Sequence, residues 1–117
     1  MRVENWCQPS SDPTLEDVRK LYRHSEDFVF RKNRYSAGDC YVGHGVAEAS
    51  VNTIYVIKGS CKFWIPKKAE DSAIEVSEGQ KLSEVSVGHA WRVTSNTEFE
   101  FVTVRELPDH LKGQGIR

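Results

Sequence analysis

The chain has 117 residues, the usual length of a single domain. Lys and Arg number 16 and Asp and Glu 17, so the formal net charge is -1. This balance argues against nucleic acid or an anionic membrane as a partner, because both require a basic surface. No stretch approaches the roughly 18 apolar residues of a membrane span, and residues 1–10 lack the apolar run of a signal peptide.

The three cysteines are Cys7, Cys40 and Cys61, and no two of them have CxxC spacing. An odd number of cysteines in a chain without a secretory signature predicts reduced thiols. We therefore expect a cytoplasmic protein.

The first predicted element is a helix over about 13–24. Asp12 or Ser11 is suited to cap its N-terminus, and Pro13 is suited to the first helical position. Apolar residues recur after it at helical spacing, which predicts a face that closes one side of the molecule. These residues are Leu15, Val18, Leu21 and Tyr22.

From Asp27 onward the apolar period changes to two, which is typical of β-strands. Residues 53–65 are predicted to form a hairpin around Gly59, because two alternating apolar runs flank this glycine. Short strands at regular spacing indicate a sandwich or closed barrel. Another predicted strand begins at Phe28, and further predicted strands cover 74–76, 82–87, 90–94 and 99–105.

The chain is predicted to be organised around one barrel, with no internal repeat. Residues 1–27 would form an N-terminal extension that includes the helix. Residues 28–107 would form the barrel, and 108–117 a polar C-terminal tail.

Two glycines and a histidine have the spacing of a known motif. Gly38 precedes His44 by five intervening residues, and Gly59 follows. This resembles the first conserved segment of the cupin superfamily, which reads Gly, five residues, His-x-His, three or four residues, Glu, six residues, Gly. The second histidine of that pattern falls at Val46 and its glutamate at Asn52.

A second segment is similar to the other conserved cupin motif. Gly79 and Gly88 match its glycines with one extra residue between them. Ser86 stands at the proline of the pattern, Trp91 at its histidine and Ser95 at its asparagine. The resemblance implies an all-β fold, a cupin-type small β-barrel of the jelly-roll kind with one N-terminal helix.

In metal-bearing cupins three histidines and the glutamate bind one divalent ion inside the barrel. This sequence retains only His44 of the four; Val46 and Trp91 cannot ligate, and Asn52 offers a neutral amide oxygen. The resemblance therefore predicts no metal and no cofactor. A rearranged site remains an alternative, with His44 and His89 as ligands and Cys40 or Cys61 nearby.

The same alignment places a mostly apolar set of side chains inside the barrel, as is usual for a small-molecule site. Trp91 would occupy the space of a metal centre, or it would simply fill the barrel. The predicted ligand-binding residues are His44, Asn52, Ile54, Val56, Phe63, His89 and Trp91.

Several functions follow from these residues, and whether the protein is an enzyme is left open. The first is binding of a small molecule without a metal. The second is a metal-independent enzyme that resembles the isomerases and epimerases among cupins, with His44 as base and Tyr41 or Glu48 assisting. The third is a metal-dependent cupin enzyme with rearranged ligands.

Three further expectations concern side chains outside this set. Such isomerases often carry inward-facing arginines, which the alignment does not provide, since Arg92 and Arg105 are predicted on the opposite strand faces. Trp64, predicted to be exposed beside Ile65, suggests an interface and hence a homodimer. Besides a second copy, the expected partner is a small-molecule ligand.

Overall fold

The computed structural model describes residues 2–8, 11–42, 52–64, 73–85 and 90–112. In these segments the strands are β1 (Arg2–Asn5), β2 (Phe28–Tyr35), β3 (Cys40–Val42), β4 (Asn52–Lys58), β5 (Ser60–Trp64), β6 (Ile74–Ser77), β7 (Gln80–Val85), β8 (Ala90–Val93) and β9 (Phe99–Glu106). The helix α1 covers Leu15–Arg19, and short 3-10 helices cover Ser25–Asp27 and Asp109–Leu111. No helix in the described part of the chain is long and apolar enough to cross a membrane.

The strands form two antiparallel sheets that face each other. The larger sheet has the order β1-β7-β4-β9-β2, and the smaller has the order β3-β8-β5-β6. Apolar side chains from both sheets meet between them, as expected for a jelly-roll barrel. This inner core contains Ile54, Val56, Cys61, Phe63, Val76, Leu82, Val93, Phe99 and Phe101.

The predicted hairpin over 53–65 is wrong. β4 pairs with β7 and β9, whereas β5 pairs with β6 and β8, so the two strands belong to different sheets. Gly59 joins them with a φ of 80°, and a Cβ there would collide with the Glu98 carbonyl oxygen. A glycine is required here because the chain crosses between the sheets at close quarters with other backbone.

The second apolar cluster lies on the outer face of the larger sheet, where the N-terminal segment covers it. β4 contributes to both clusters, since Ile54 and Val56 face inward while Tyr55 and Ile57 face outward. The prediction that the helix closes one side of the barrel is confirmed for Val18 of α1, which is fully buried against this face, whereas Leu21, predicted to lie on the same face, is 53% exposed. The outer cluster comprises Val18, Tyr55, Ile57, Val102 and Val104, with Trp6, Leu15, Tyr22, Phe28 and Phe30 packed against them.

The helix is shorter than the predicted 13–24. Thr14 is the N-cap instead of Asp12 or Ser11, because Thr14 and Asp17 form a reciprocal capping box. The helix ends at Arg19, after which the backbone makes tighter turns, with the amide of Tyr22 donating to the carbonyl of Arg19. This turn brings Tyr22 onto the outer cluster, where its hydroxyl lies 2.8 Å from that of Tyr55.

β1 was not predicted. It pairs with β7 in the register Val3 with Leu82 and forms one edge of the larger sheet. Val3 packs against the inner core. Trp6, which follows the strand, donates its indole N–H to the carbonyl oxygen of Val56 at 3.2 Å. These contacts fix the start of the described chain to the barrel.

Candidate functional site

A row of large side chains crosses the inner face of the smaller sheet. Tyr41 of β3 pairs with Trp91 of β8, which pairs in turn with Phe63 of β5 and, beyond it, Ile74 of β6. Side chains of directly paired residues lie on the same face of a sheet. Because Phe63 and Ile74 lie in or against the inner core, Trp91 and Tyr41 also point into the barrel.

Tyr35 of the opposite sheet completes this arrangement. Its ring is stacked on Trp91 with a centroid separation of 3.9 Å and an interplanar angle of 4°. The ring of Tyr41 lies 6.2 Å from Trp91 at 31°. We call Tyr35, Tyr41 and Trp91 the aromatic cluster. It is accessible to solvent, since Tyr41 is 50% exposed and the other two are partly buried.

Behind the aromatic cluster the interior is packed and apolar. Tyr35 lies 5.1 Å from Phe101, and Phe101 lies 4.9 Å from Phe99. Ile54, Val56 and Phe63, which were predicted to bind ligand, are buried in the same core. They can therefore support the aromatic cluster on its buried side, while the rings of the cluster are partly exposed to solvent. No polar or charged residue is fully buried among those the structure describes.

Polar side chains share the inner face of the larger sheet with Tyr35. Arg31 pairs with Thr103, and Asn33 pairs with Phe101. The amide of Asn33 donates to the Thr103 hydroxyl at 3.3 Å and to the Arg31 carbonyl oxygen at 3.1 Å. Arg31 and Asn33 therefore extend the inward face of β2 away from the stacked rings.

Arg105 was expected on the face opposite the interior, and this is wrong. It lies on the same face of β9 as Phe99, Phe101 and Thr103, and the two phenylalanines belong to the inner core. Together with Arg31, it gives the inner face of this sheet two arginines that the alignment had not provided. Arg92 does lie on the outer face as predicted, since its neighbours Trp91 and Val93 point inward.

Electrostatics links Arg31 to the aromatic cluster. Burial is the largest influence on the Tyr35 hydroxyl and raises its pKa; Cys61 raises this pKa further and Arg31 lowers it. Burial also raises the pKa of the Cys61 thiol to about 12. Both groups are therefore protonated at neutral pH, so neither is a ready nucleophile there.

The residues at the cupin metal positions do not fit a metal. The indole of Trp91 has no free lone pair for coordination, and its ring is held against Tyr35. Val46 offers no ligating atom either. No group of three or more His, Cys, Asp or Glu residues that could hold an ion exists within the described segments.

Several predicted site residues fall outside this description. His44, Val46, Glu48 and His89 lie outside the described residues. Asn52 begins β4 and pairs with Val85, but its side chain is not described. The roles predicted for these residues remain predictions.

Trp64 was predicted to be exposed, and this is wrong, because it is only 6% exposed. It pairs with Ala90, which is fully buried. The exposed large apolar side chains in the described segments are Leu21 and Tyr41. Trp64 therefore gives no support to an interface.

No protein-family model and no curated protein matches the sequence. Solved structures do match. The polyketide cyclase RemF from Streptomyces resistomycificus is 21% identical with a TM-score of 0.54, over 69% of this chain and 55% of that one. This chain thus spans little more than half the length of the cyclase.

Two further structures name the fold. The cupin domain of an XRE-family transcriptional regulator from Enterobacter cloacae is 14% identical with a TM-score of 0.51, over 75% of this chain and 92% of that one. An uncharacterised protein with a double-stranded β-helix domain from Klebsiella pneumoniae is 16% identical with a TM-score of 0.53, over 72% of this chain and 70% of that one. The protein has a double-stranded β-helix fold, like that of these structures.

Proposed function

We propose that the protein is a cytoplasmic, cupin-fold domain that binds a small molecule at the aromatic cluster without a metal. The observation that carries this proposal is the Tyr35–Trp91 stack, which stands partly exposed beside half-exposed Tyr41 on the inner face of the barrel. Exposed aromatic rings over a packed apolar floor suit a ligand with a flat, apolar part. The free thiols Cys7, Cys40 and Cys61 are consistent with a reducing compartment.

The residue at position 91 supports a site without a metal, because the cupin motif has a metal-binding histidine there. A tryptophan there removes one ligand, and its ring is stacked on that of Tyr35. Val46 removes another ligand. The two remaining positions, His44 and Asn52, supply fewer donors than a stable site requires.

The test is a screen of planar aromatic fragments, 2-naphthamide among them, by NMR. We expect some fragments to shift the indole N–H resonance of Trp91 and to lose their affinity in the Trp91→Ala variant. Trp6→Phe is the matched control, because Trp6 lies in the outer cluster and its replacement should leave binding unchanged. A library in which no fragment moves the Trp91 resonance would contradict the proposal.

Metal content gives an independent test. Elemental analysis of freshly purified protein should find no ion at a stoichiometric level. A tightly held ion in a ratio of about one per chain would instead favour the rearranged site with His44 and His89.

A metal-independent enzyme is the second candidate, and one observation favours it. Arg31 and Arg105 lie, exposed, on the inner face of the larger sheet, and the sugar-nucleotide isomerases and epimerases of the cupin superfamily often carry arginines on that face. In this candidate His44 is the base and Tyr41 or Glu48 assists, with Tyr41 already beside Trp91. Turnover on a panel of nucleotide sugars that is absent, or equal in wild type and His44→Ala, would rule it out.

Self-association remains a separate proposal, and we infer a homodimer. β2 and β3 lie at the edges of the two sheets in the described topology, and edge strands can pair with another copy. Tyr41 on β3 adds exposed apolar surface there. Analytical ultracentrifugation should show a dimer at micromolar concentration, and a monomer at that concentration would contradict it.

A further inference from the structure

We infer that the ligand is an organic anion, whose flat ring contacts the aromatic cluster while its oxyanion group binds Arg31 and Arg105. This inference rests on the proposed function and adds the chemical class of the ligand to it. Both arginines lie on the inner face of the larger sheet, on neighbouring strands β2 and β9. Arg31 is directly opposite Thr103, and Arg105 follows two residues after Thr103, so the arginines are diagonal neighbours.

The contrast with the outer face of the same strands carries the argument. On that face the Nζ atom of Lys32 lies 3.5 Å from Oε1 of Glu100. Near the strand ends, Nε of Arg34 lies 3.6 Å from Oε2 of Glu98. Arg31 and Arg105 form no ion pair with any residue in the described segments. Glu98 and Glu100 are thus engaged by outer cations, while Arg31 and Arg105 remain available to an anionic ligand.

Within the bounds of β2 and β9 the inner face carries no acid, and the nearest acid along this face, Asp27, precedes β2. The inward positions of the two strands carry only neutral side chains besides Arg31 and Arg105. A guanidinium in such a setting attracts an oxyanion and can bind it through two parallel hydrogen bonds. The neutral residues are Val29, Asn33, Tyr35, Phe99, Phe101 and Thr103.

The cation and the rings are close enough to serve one ligand. The charge of Arg31 acts on the Tyr35 hydroxyl, and Tyr35 is stacked on Trp91. Asn33 lies between Arg31 and Tyr35 in β2, and its hydrogen bonds to the Arg31 carbonyl and to Thr103 fix the backbone between them. Arg31 and Tyr35 are four residues apart on this face, roughly 13 Å along the strand, a span that an extended arginine side chain and a ligand of two or three rings can cover together.

The experiment compares 2-naphthoate with its neutral isostere 2-naphthamide by isothermal titration calorimetry. We expect wild type to bind the carboxylate on the order of tenfold more tightly, since a charge-assisted pair adds about that much. The double variant Arg31→Gln/Arg105→Gln should lose this preference and still bind the amide. Lys32→Gln is the matched control, because Lys32 is adjacent in sequence but lies on the outer face.

The outcomes separate the two proposals. Equal affinity for both probes, with Trp91 still perturbed, would overturn the anion inference and leave the proposed function standing. A preference that persists in the folded double variant would overturn the assignment to these arginines. If neither probe perturbs Trp91, the proposed function fails and the inference fails with it.

A second measurement does not depend on the double variant folding. In wild type, the affinity for 2-naphthoate should fall as salt rises from 50 to 500 mM, whereas that for 2-naphthamide should not. Arg31→Lys should retain part of the preference, because a lysine keeps the charge but loses the paired hydrogen bonds. A naphthoate affinity that is independent of salt would contradict the inference.

Discussion

Aromatic side chains gather on both faces of the larger sheet, and the two groups differ in how their polar atoms and ring faces are satisfied. In the outer cluster the polar tips bond within the chain: Tyr22 with Tyr55, and Trp6 with the Val56 carbonyl. In the aromatic cluster the rings stack on one another and still present surface to solvent. The outer rings attach the N-terminal segment to the sheet, whereas the inner rings are the ones at which we propose that a ligand binds.

The largest stability effect should come from the floor of the inner core. Phe99 is fully buried and lies against Phe63, Phe101 and Tyr35, so Phe99→Ala should lower the free energy of unfolding by about 3–5 kcal/mol. Phe30→Ala in the outer cluster should cost less, because Phe30 is only partly buried. Urea unfolding measures both, and a larger loss for Phe30→Ala would contradict the contrast.

Alkaline pH should weaken the inner core first. The pKa of Cys61 is raised from about 9 to about 12, so above pH 9 the unfolded chain loses a proton that the folded chain keeps. The contribution of this thiol to the free energy of unfolding is therefore fully present below pH 9, and above pH 9 it declines by about 1.4 kcal/mol per pH unit. Unfolding at pH 8, 9 and 10 should show this decline.

The matched variants assign that decline to one thiol. Cys61→Val should remove it between pH 9 and 10, and Cys40→Ser, at an exposed position, should not. Above pH 10 the outer cluster should add its own loss, because burial and the bond to Tyr55 also raise the pKa of Tyr22. An unchanged decline in Cys61→Val would show that another group titrates.

A smaller effect is expected from the hydroxyl pair of the outer cluster. Tyr22→Phe removes the 2.8 Å bond to Tyr55 and should lower the free energy of unfolding by about 1 kcal/mol. A double-mutant cycle with Tyr55→Phe isolates the coupling between the two hydroxyls. Ligand affinity should not change in either variant, and a change would mean that the two faces are not independent.

The smallest effect on stability is expected at the inner arginine. Arg31→Gln and Lys32→Gln should each change the free energy of unfolding by less than about 0.5 kcal/mol, because both side chains are exposed. Only Arg31→Gln should alter binding of 2-naphthoate. A large loss of stability in Arg31→Gln would indicate a structural role for this arginine.

Much of the inner face was predictable from the sequence. Period-two alternation placed Ile54, Val56 and Phe63 inward, and the motif spacing placed Trp91 inside the barrel. The outer face of β4 was harder to predict, since Tyr55 and Ile57 are also apolar and nothing local indicates what covers them. Burial of both faces depends on the N-terminal segment, which is distant in sequence.

The arginines and the chain crossing could not be predicted for a related reason. Arg31 and Arg105 are recognised as inward only from the pairing of β2 with β9, which joins segments about seventy residues apart. The stacking partner of Tyr35, Trp91, likewise comes from the other sheet, so the stack depends on how the two sheets pack. Gly59 has the local pattern of a hairpin turn, and only the long-range pairing of β4 and β5 shows otherwise.

The crossing at Gly59 also bears on how quickly the domain forms. Lys58 ends a strand of one sheet and Ser60 begins a strand of the other, so this turn cannot nucleate a hairpin. Instead β4 and β2 both pair with β9, which is distant from each of them in sequence. Folds dominated by such non-local pairings form in milliseconds to seconds. For that interval the unpaired strands remain open to pairing between chains, so refolding yield should fall as protein concentration rises.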